Sequence, residues 1–306
     1  MTRLSIITPY YNMPETLCRL SASIPQEPWI EHIIVNDRSD MDPAALLSAK
    51  QYVTARGARW YDNTTQYKGT GICRDIGIRR AAGEWILIAD ADDFFTDNAF
   101  EIIRRHIDDP ADIFYFAPTS IKEGTSLKSD RHIPYERLVR EFAQAPTLEN
   151  ELRLRYLSVP DTSKLIRREM IRKYKITSSH SAVSNDVMFS TRCAYHADNI
   201  AVSEEAVYCI TEGAGTLTTT KDVRRFRQRI DMYIRQCRFL KKHLPEDSFS
   251  LIGLSASGLL YQCYRDYGQI EVMRSLLRII RYKAPVNILD LQTRRSGSVS
   301  SESRRP

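Results

Sequence analysis

The stretch GEWILIADADDFF, residues Gly83 to Phe95, joins a short apolar run to three carboxylates. The run from Trp85 to Ala89 is bounded by polar residues, which predicts a buried strand. Asp90, Asp92 and Asp93 follow at once, so charge begins where the strand ends. Open α/β sheets bind ligands at this edge, and we expect a ligand site here. A solvated acidic turn or helix cap is the alternative that the run favours when taken alone.

Strand and helix patterns alternate along the chain as far as Ala117, which predicts βαβ units and a mostly parallel sheet. The predicted strands are Leu4–Thr8, His32–Val35, Ala58–Tyr61, Trp85–Ala89 and Asp112–Ala117, and the predicted helices are Pro14–Ile24, Pro43–Arg56, Gly71–Ala82 and Asp97–His106. Further on, we expect irregular structure over Thr119–Arg155, a segment Lys164–Ile171 beside the cleft, a helix over Asp186–Tyr195 and an edge strand over Ala206–Ile210.

After Thr220 the apolar residues follow helical spacing only. We therefore divide the chain into a catalytic or binding domain over 1–220, a helical module over 221–292 and a basic tail over 293–306. The tail is rich in Ser and Arg, which predicts disorder. The predicted fold class is α/β, with a mostly parallel sheet flanked by helices and a helical C-terminal module.

The net charge of +6 is unevenly distributed. From Asp222 to Pro306 there are 17 Lys and Arg against 8 Asp and Glu, a net +9, and the preceding residues carry a net −3. We expect no nucleic-acid partner for the N-terminal part, because the basic charge belongs to a separate module. The segment Arg224–Arg229 (RRFRQR) is a candidate contact with an anionic membrane surface. A packed helical subdomain with solvated arginines fits the same pattern.

The cysteines and the apolar runs indicate a cytoplasmic protein. Six cysteines, at 18, 73, 193, 209, 237 and 263, form no metal-binding spacing, and we expect reduced thiols that pack as small apolar side chains. No apolar run approaches the roughly 20 residues that span a bilayer. The N-terminus shows no signal-peptide pattern.

Four motifs in a fixed order carry a resemblance to a known family. They are SIITPYYNMPETL (5–17), IIVNDRSD (33–40), GTGICRDIGIRRAAGEWILIADADD (69–93), and SKLIRREMIRKYKI (163–176) followed by SNDVMFSTRCA (184–194). Together they resemble family 2 glycosyltransferases with the GT-A fold, over about residues 3 to 220. The chain departs from the family pattern at Asn36 and Asn185, where acids are common. It also departs at Thr211–Glu212, near which a basic residue is usual.

For the donor, the resemblance implies a UDP-sugar site built from the strand ends and the central motif: Thr8, Pro9, Tyr10, Asp37, Arg74, Asp90, Ala91 and Asp92. Asp37 is implied to accept from the uracil imide N–H, and Asp90 to contact the ribose side. Without the resemblance, Asp37 fits a helix or turn cap equally well, and Arg74 fits a solvated helix face. At least one of Tyr10 and Tyr11 is expected in the core.

The resemblance also implies a divalent cation. Carboxylates are hard oxygen ligands, and Mg²⁺ or Mn²⁺ held by one or two of them can bind a diphosphate through its remaining positions. Asp92 is implied to coordinate the metal, which acts as a Lewis acid for the leaving group. Asp93 is implied to support the metal through water or to orient the acceptor.

Asp186 is implied to be the general base, about 95 residues after the metal motif. A carboxylate opposite the leaving group would invert the anomeric centre. The alternative is that Asp186 is the N-cap of a helix that starts near Val187, since Ser-Asn-Asp is a cap-like sequence.

These roles predict an inverting, metal-dependent hexosyltransferase that moves a sugar from a UDP-sugar to a saccharide or a lipid-linked saccharide. The implied setting is bacterial surface polysaccharide assembly, such as capsule or O-antigen, in the cytoplasm or on the inner face of the cell membrane. One rival, a nucleotidyltransferase that forms nucleotide-sugars, needs a basic, Gly-rich loop after the first strand, which TPYYNMPE (8–15) lacks. The other rival is a non-catalytic module that binds nucleotide-sugar or membrane.

Overall fold

A computed structural model of the chain describes residues 1–178, 181, 183–213 and 221–287. Contacts between Cα atoms divide the chain into two compact units, Met1–Thr216 and Leu217–Pro306. The tail 293–306, for which the sequence predicts disorder, lies outside the described residues.

The first unit alternates strands and helices along its N-terminal half. These elements are β1 (Leu4–Tyr10), α1 (Pro14–Ala22), β2 (Ile30–Asn36), α2 (Pro43–Ala55), β3 (Arg59–Asp62), α3 (Thr70–Arg80), β4 (Trp85–Ile88), β5 (Phe94–Phe95) and α4 (Ala99–His106). They are followed by β6 (Ile113–Phe116), β7 (Thr119–Lys122), α5 (Ile133–Gln144), α6 (Leu148–Leu157), β8 (Lys164–Arg167), α7 (Arg168–Lys173), α8 (Asn185–His196), β9 (Ile200–Ser203) and β10 (Tyr208–Glu212).

The central sheet of this unit has seven strands among the described residues, in the order β3-β2-β1-β4-β8-β6-β9. β1 runs parallel to β2 and β4, β2 runs parallel to β3, and β6 runs parallel to β9. β8 is antiparallel to both of its neighbours, β4 and β6. The predicted mostly parallel α/β sheet is confirmed.

The middle strands form the core. Every residue of β1, β4 and β6 is buried, as expected for strands that are covered on both faces. α3 packs closely on the sheet because Gly77 has no side chain: a Cβ there would lie 2.3 Å from Cγ2 of Ile7. Trp85 is fully buried and donates its indole N–H to the carbonyl of Ile107 at 2.9 Å. The apolar run that precedes the acidic residues is therefore core.

A second, three-stranded sheet has the order β5-β10-β7. β10 is its central strand, antiparallel to β5 and parallel to β7. The prediction of an edge strand over Ala206–Ile210 is wrong, because two short strands from distant parts of the chain cover both sides of β10. β5 follows the acidic run directly, so this sheet adjoins the predicted site.

The prediction of irregular structure over Thr119–Arg155 is also wrong, since the segment contains β7, α5 and most of α6. α5 buries only Leu138 and Val139, and α6 buries Arg155 among its inward-facing residues. The Arg155 Nη1 donates to the carbonyls of Ala194 and Ala197 at 2.8 and 2.9 Å. In α6 a buried arginine stands in place of an apolar side chain, which obscures the helical pattern in the sequence.

The second unit is helical in its described part, as the sequence predicts. Its helices are α9 (Val223–His243), α10 (Glu246–Leu251), α11 (Ser257–Tyr267) and α12 (Gln269–Arg281). Asp222 caps α9 by accepting from the backbone N–H groups of Arg224 and Arg225. Across the described residues, none of the helices has both the length and the apolar character that crossing a membrane requires.

The RRFRQR segment begins α9 and faces inward in part. Phe226 is 1% exposed and packs in the core of this unit. Arg227 forms a bidentate pair with Glu271, with distances of 2.7 and 2.6 Å. The segment therefore presents no exposed aromatic side chain, and the packing does not support it as the membrane-facing patch.

The cysteine prediction is confirmed. All six cysteines are free thiols; Cys18 is partly buried, and the other five are buried. Burial raises the pKa of the Cys209 thiol to about 11, so it stays protonated at neutral pH. These thiols act as small apolar groups in the core.

Candidate active site

The predicted site residues meet at one edge of the central sheet. β1, β2 and β4 are parallel neighbours, so their carboxyl ends lie side by side. Asp37 follows β2, and its backbone N–H donates to the carbonyl of Tyr10 at the end of β1, at 2.8 Å. Asp90 and Asp92 follow β4 on the other side of β1. This is the edge at which open α/β sheets bind ligands.

The residues at the end of β1 turn their side chains into the protein. Thr8 is buried, and its hydroxyl lies 3.0 Å from Nε2 of His32. Tyr10 is 1% exposed and packs edge-on against Trp60, so the expectation of a core tyrosine is confirmed. Pro9 is buried as well. Any contact of Thr8 and Tyr10 with a nucleotide would therefore use the backbone more than the side chain.

Asp37 organises the loop between β3 and α3. Its two carboxylate oxygens accept from Asn63 Nδ2 and from the backbone N–H of Gly69, each at 2.7 Å. Gly69 has φ of +129°, a conformation that favours glycine, and it is the N-cap of α3. The carboxylate is 5% exposed. These hydrogen bonds fit the alternative in which Asp37 caps a helix or turn. Its contact with uracil stays a prediction.

Arg74 links three parts of the chain. This side chain projects from α3, is 5% exposed, and lies between two carboxylates. Its Nη2 is 2.9 Å from Asp90 Oδ1, and its Nε is 3.2 Å from Asp161 Oδ2. Its Nη1 donates to Oδ1 of Asn185, at 2.5 Å, on the first turn of α8. The alternative of a solvated helix face is therefore wrong for Arg74, whereas Arg79 and Arg80 of the same helix are exposed.

Asp161 is a buried member of this cluster that the sequence motifs do not identify. It is 1% exposed, and burial raises the pKa of its carboxyl to about 7 although the positive charge of Arg74 lowers it. Lys164, on β8, is also buried and donates to the carbonyl of Ser158 at 2.7 Å. Burial lowers the pKa of the Lys164 amine to about 8. No repeated pattern marks Asp161 in the sequence; it is recognisable only by its distance from Arg74.

The acidic run places its carboxylates in different surroundings. Asp90 is partly exposed, and its backbone N–H donates to the Tyr208 hydroxyl at 2.9 Å. Burial, together with the charge of Asp90, raises the pKa of Asp92 to about 6. Asp93 is 5% exposed and accepts from the backbone N–H of Thr211 at 2.7 Å. Asp93 therefore ties the run to β10, while Asp90 and Asp92 remain accessible.

Asp186 is the second residue of α8 and is partly buried. The helix N-cap is Ser184, so the alternative in which Asp186 caps a helix from Val187 is wrong. Burial raises the pKa of the Asp186 carboxyl, and the charge of Arg74 opposes this shift. Because Arg74 contacts both Asp90 and the neighbouring Asn185, Asp186 belongs to the same cluster as the acidic run.

A basic side chain approaches the acidic run from the segment before α5. Arg131 Nη1 lies 3.5 Å from the carbonyl of Thr211, the residue whose N–H binds Asp93. Its charge partly offsets the rise in the pKa of Asp92. Arg131 also lines an open cleft with Lys122, Lys128, Ser129, Asp130 and Glu212.

The carboxylates fit a cation that is shared with a bound nucleotide. In the described part of the chain, no three His, Cys, Asp or Glu side chains are grouped so that they could hold a metal ion. Mg²⁺ is usually held by only one or two carboxylates plus substrate phosphates. Asp90 and Asp92 supply that number, and a cation would offset the negative charge of Asp90, which after burial is the second cause of the raised pKa of Asp92.

The family model "Glycosyl transferase family 2" matches residues 5–175. The chain belongs to this family. Its fold is similar to the crystal structure of Staphylococcus aureus TarS 1-349 in complex with UDP-GlcNAc, with a TM-score of 0.64, 16% identity, and coverage of 86% of this chain and 73% of that one. The GT-A assignment is thereby confirmed.

The chain is also similar to two further proteins. The chain is 23% identical over 222 residues to the poly(ribitol-phosphate) beta-N-acetylglucosaminyltransferase TarS of Staphylococcus aureus, covering 70% of this chain and 36% of that protein. Its fold is also similar to the mannosyltransferase PcManGT of Pyrobaculum calidifontis in complex with GDP-Man and Mn²⁺, with a TM-score of 0.56, 13% identity, and coverage of 97% and 80%.

A TPR repeat-containing protein of Synechococcus elongatus is 24% identical over 178 residues, which is 58% of this chain and 40% of that protein. The chain thus spans 40% or less of the length of these two curated relatives.

Proposed function

We propose that this glycosyltransferase moves a sugar from a UDP-sugar to a hydroxyl of a saccharide or lipid-linked saccharide, with inversion at the anomeric carbon. The observation that carries the proposal is the position of Arg74, which joins Asp90 of the acidic run to Asn185 beside Asp186. A donor-binding carboxylate and a candidate base are thereby held by one buried side chain. Alignment of two reactants in this way is a major source of catalytic rate.

In the proposed reaction Asp186 is the general base. Its carboxylate takes the proton of the acceptor hydroxyl as the oxygen forms a bond to the anomeric carbon. The bond from that carbon to the diphosphate oxygen breaks on the opposite face, which inverts the centre and releases UDP. Burial raises the pKa of Asp186, and a base with a pKa closer to the working pH is a better proton acceptor.

On the donor side, Asp37 and the end of β1 border the proposed nucleotide pocket, and Asp90 and Asp92 lie where the diphosphate would bind. A bound Mn²⁺ or Mg²⁺ would supply Lewis-acid stabilisation of the leaving group there, with Asp92 as its protein ligand. Asp93 is assigned a positioning role, because its carboxylate accepts from the Thr211 N–H and so fixes the acidic run against β10.

Arg131 is assigned the cationic role that the family usually gives to a residue near Thr211–Glu212. Its guanidinium lies 3.5 Å from the Thr211 carbonyl, and its charge lowers the pKa of Asp92. A guanidinium can bind two phosphate oxygens at once and stays charged at any working pH. Arg131 therefore fits a contact with the diphosphate as negative charge develops on it.

Surface polysaccharide assembly, such as capsule or O-antigen, is the proposed setting, and a saccharide acceptor is consistent with the open cleft beside Arg131. A non-catalytic nucleotide-sugar module would not require a buried carboxylate cluster around Arg74. A nucleotidyltransferase is disfavoured, because that class needs a basic, Gly-rich loop after the first strand. Only Tyr11, Asn12 and Met13 lie between the end of β1 and the start of α1.

The proposal is tested with a panel of UDP- and GDP-sugars, each with Mn²⁺ and with chelator, by thermal unfolding of the full chain. A ligand that binds the folded state raises its stability. We expect one UDP-sugar to raise the melting temperature in Mn²⁺ only, and to be hydrolysed or transferred slowly. Stabilisation by GDP-sugars alone would refute the donor, and equal stabilisation in chelator would refute the metal.

A further inference from the structure

Helix α12 carries an apolar stripe on its outer face. The stripe consists of Ile270, Met273, Leu277 and Ile280, whose exposed fractions are 72, 56, 63 and 59%. Spacings of three and four residues place these side chains on one face of the helix. Isolated exposed apolar residues are ordinary, but a continuous row of large ones marks an interaction surface.

The other face of α12 already serves the core of the second unit. Ser275 and Ile279 are buried, and Ile279 packs in the cluster that contains Phe226 and Leu260. The stripe is therefore not needed to attach α12 to its own unit. Within the described part of the chain these four side chains remain exposed, so they are available to bind a partner.

Cationic side chains border the stripe. Arg274, Arg278 and Arg281 follow Ile270, Arg274 and Leu277 by four residues, so they form a row beside it on the helix. All three are exposed, as is Lys283 just after the helix. Arg274 lies 3.6 Å from Glu271 and Arg278 pairs with Asp231 at 2.6 Å, while Arg281 lies at the C-terminal end of the row.

Acidic groups are scarce on this face. The acidic residue of α12 is Glu271, which is 6% exposed and is bound by Arg227. A second copy of α12 placed against the stripe would therefore meet another row of arginines without exposed carboxylates on the helix to pair with them. The charge pattern favours an anionic partner over a copy of the same face.

We propose that α12 binds the surface of an anionic lipid bilayer. The apolar stripe would enter the boundary between headgroups and acyl chains, while the arginine row would contact the phosphates. An amphipathic helix with a basic border is the arrangement that lies in this interface, and each nearby basic residue adds attraction to anionic lipid. The contact depends on this surface alone and not on the proposed reaction, and it replaces the RRFRQR segment as the membrane-facing element.

The test is co-sedimentation of the full chain with vesicles of phosphatidylcholine alone and with an equal part of phosphatidylglycerol. We expect binding to the anionic vesicles that weakens with added salt, and little binding to the neutral ones. The double variant Leu277→Gln/Ile280→Gln should bind at least about tenfold more weakly, because its apolar contact is lost. Glutamine is a good helix former, and both sites are exposed, so the variant should melt like the unaltered chain.

The matched control is Leu47→Gln/Leu148→Gln, at two leucines of the first unit that are 55 and 58% exposed. This control should bind vesicles normally. The proposal is overturned if the unaltered chain stays in the supernatant with both vesicles, or if both double variants lose binding equally. It is also overturned if light scattering shows a dimer that the α12 variant converts to monomer, because a second copy would then cover the stripe.

Discussion

Arg74 Nε and Asp161 Oδ2 lie 3.2 Å apart in the interior of the first unit, and both residues are at most 5% exposed. The same guanidinium contacts Asp90 and Asn185, so it holds the loop after β4 and the start of α8 together. A buried charge pair of this kind is weak support for stability, because removing both charges from water is costly. We infer that its role is positional: it sets the distance between the donor edge of the sheet and Asp186.

Loss of Arg74 should expose this cost. In Arg74→Met the carboxylate of Asp161 stays buried without its cation, so we expect the free energy of unfolding to fall by about 3 kcal/mol at pH 8. The loss should be smaller at pH 5.5, because the pKa of Asp161 is already raised to about 7 and the neutral acid needs no partner. Denaturant titration at both pH values measures this. Arg79→Met, at an exposed arginine of the same helix, should change stability by less than about 0.5 kcal/mol, and a loss equal to that of Arg74→Met would contradict the interpretation.

Asp92→Asn should abolish metal-dependent donor binding. The amide is isosteric but carries no charge, and a divalent cation that has only one or two protein carboxylates depends on each of them. Calorimetric titration of the UDP-sugar in Mn²⁺ should show a loss of at least about 100-fold in affinity, because even the loss of a group that only supports a metal ligand costs about 10- to 100-fold. Asp97→Asn makes the same chemical change at an exposed aspartate five residues away and should bind normally. Native affinity of Asp92→Asn in Mn²⁺ would remove Asp92 from the metal site.

Asp186→Asn should bind the donor normally and transfer its sugar at least about 100-fold more slowly, because general-base catalysis contributes on this scale. The reduction should appear in kcat, with KM for the donor nearly unchanged. Asp198→Asn, at an exposed aspartate just after α8, serves as the control and should keep the native rate. Transfer within threefold of the native rate by Asp186→Asn would exclude the carboxylate as base.

Arg131→Ala should reduce kcat/KM by about 100-fold, the usual effect of losing one group that stabilises charge in the transition state. The fold should be unaffected, since the side chain is partly exposed and its contact with Thr211 is long. Arg137→Ala, on the outer face of α5, is the matched variant, with a side chain that is 66% exposed. Steady-state kinetics of the two variants test this role. Similar values of kcat/KM for Arg131→Ala and Arg137→Ala would refute the contact of Arg131 with the diphosphate.

His32 should make the fold sensitive to acid. Burial and the charge of Arg56 lower the pKa of His32 to about 3, so the folded state keeps the ring neutral while the unfolded chain takes up a proton below about 6.5. The histidine contribution to stability is therefore present above pH 6.5 and is lost as the pH falls toward 3. The loss is about 1.4 kcal/mol for each pH unit well below 6.5.

Denaturant titrations from pH 7.5 to 4.5 test this expectation. His32→Gln can keep the hydrogen bond to Thr8 and does not titrate, so its stability should depend less on pH than that of the unaltered chain. His243→Gln, at an exposed histidine, should follow the unaltered chain. Parallel pH curves for all three proteins would show that His32 is not the group responsible.

Local pattern was sufficient to predict the parallel half of the fold. The runs that became β1, β2 and β4 are short and apolar, and helices with clear start and stop signals separate them, so each element forms largely from its own residues. Consecutive strands tend to be parallel neighbours, as β1, β2 and β3 are, whereas β4 pairs with β1 and not with β3. Parallel strands all end at the same edge of the sheet. For the same reason the positions of Asp37, Asp90 and Asp92 at one sheet edge could be expected from the sequence.

The elements that the sequence did not predict depend on contacts between distant segments. Arg155 of α6 is buried only because the end of α8 supplies two carbonyls for it. β10 is a central strand because β5 and β7 reach it from other parts of the chain. The spacing of apolar residues predicts which face of a segment is buried, but it does not identify the distant segment that covers this face.

The sequence by itself determined the α/β class, the acidic run at the end of a buried strand, and the change to a helical, basic C-terminal part. All of these follow from neighbouring residues and their spacing. Only the tertiary structure decided that Arg74 binds Asp161, that Asp93 faces β10, and that the apolar stripe of α12 lies outside the core. Each of these is a choice among several partners for one side chain. Such choices are settled by burial and distance, which arise when the chain folds.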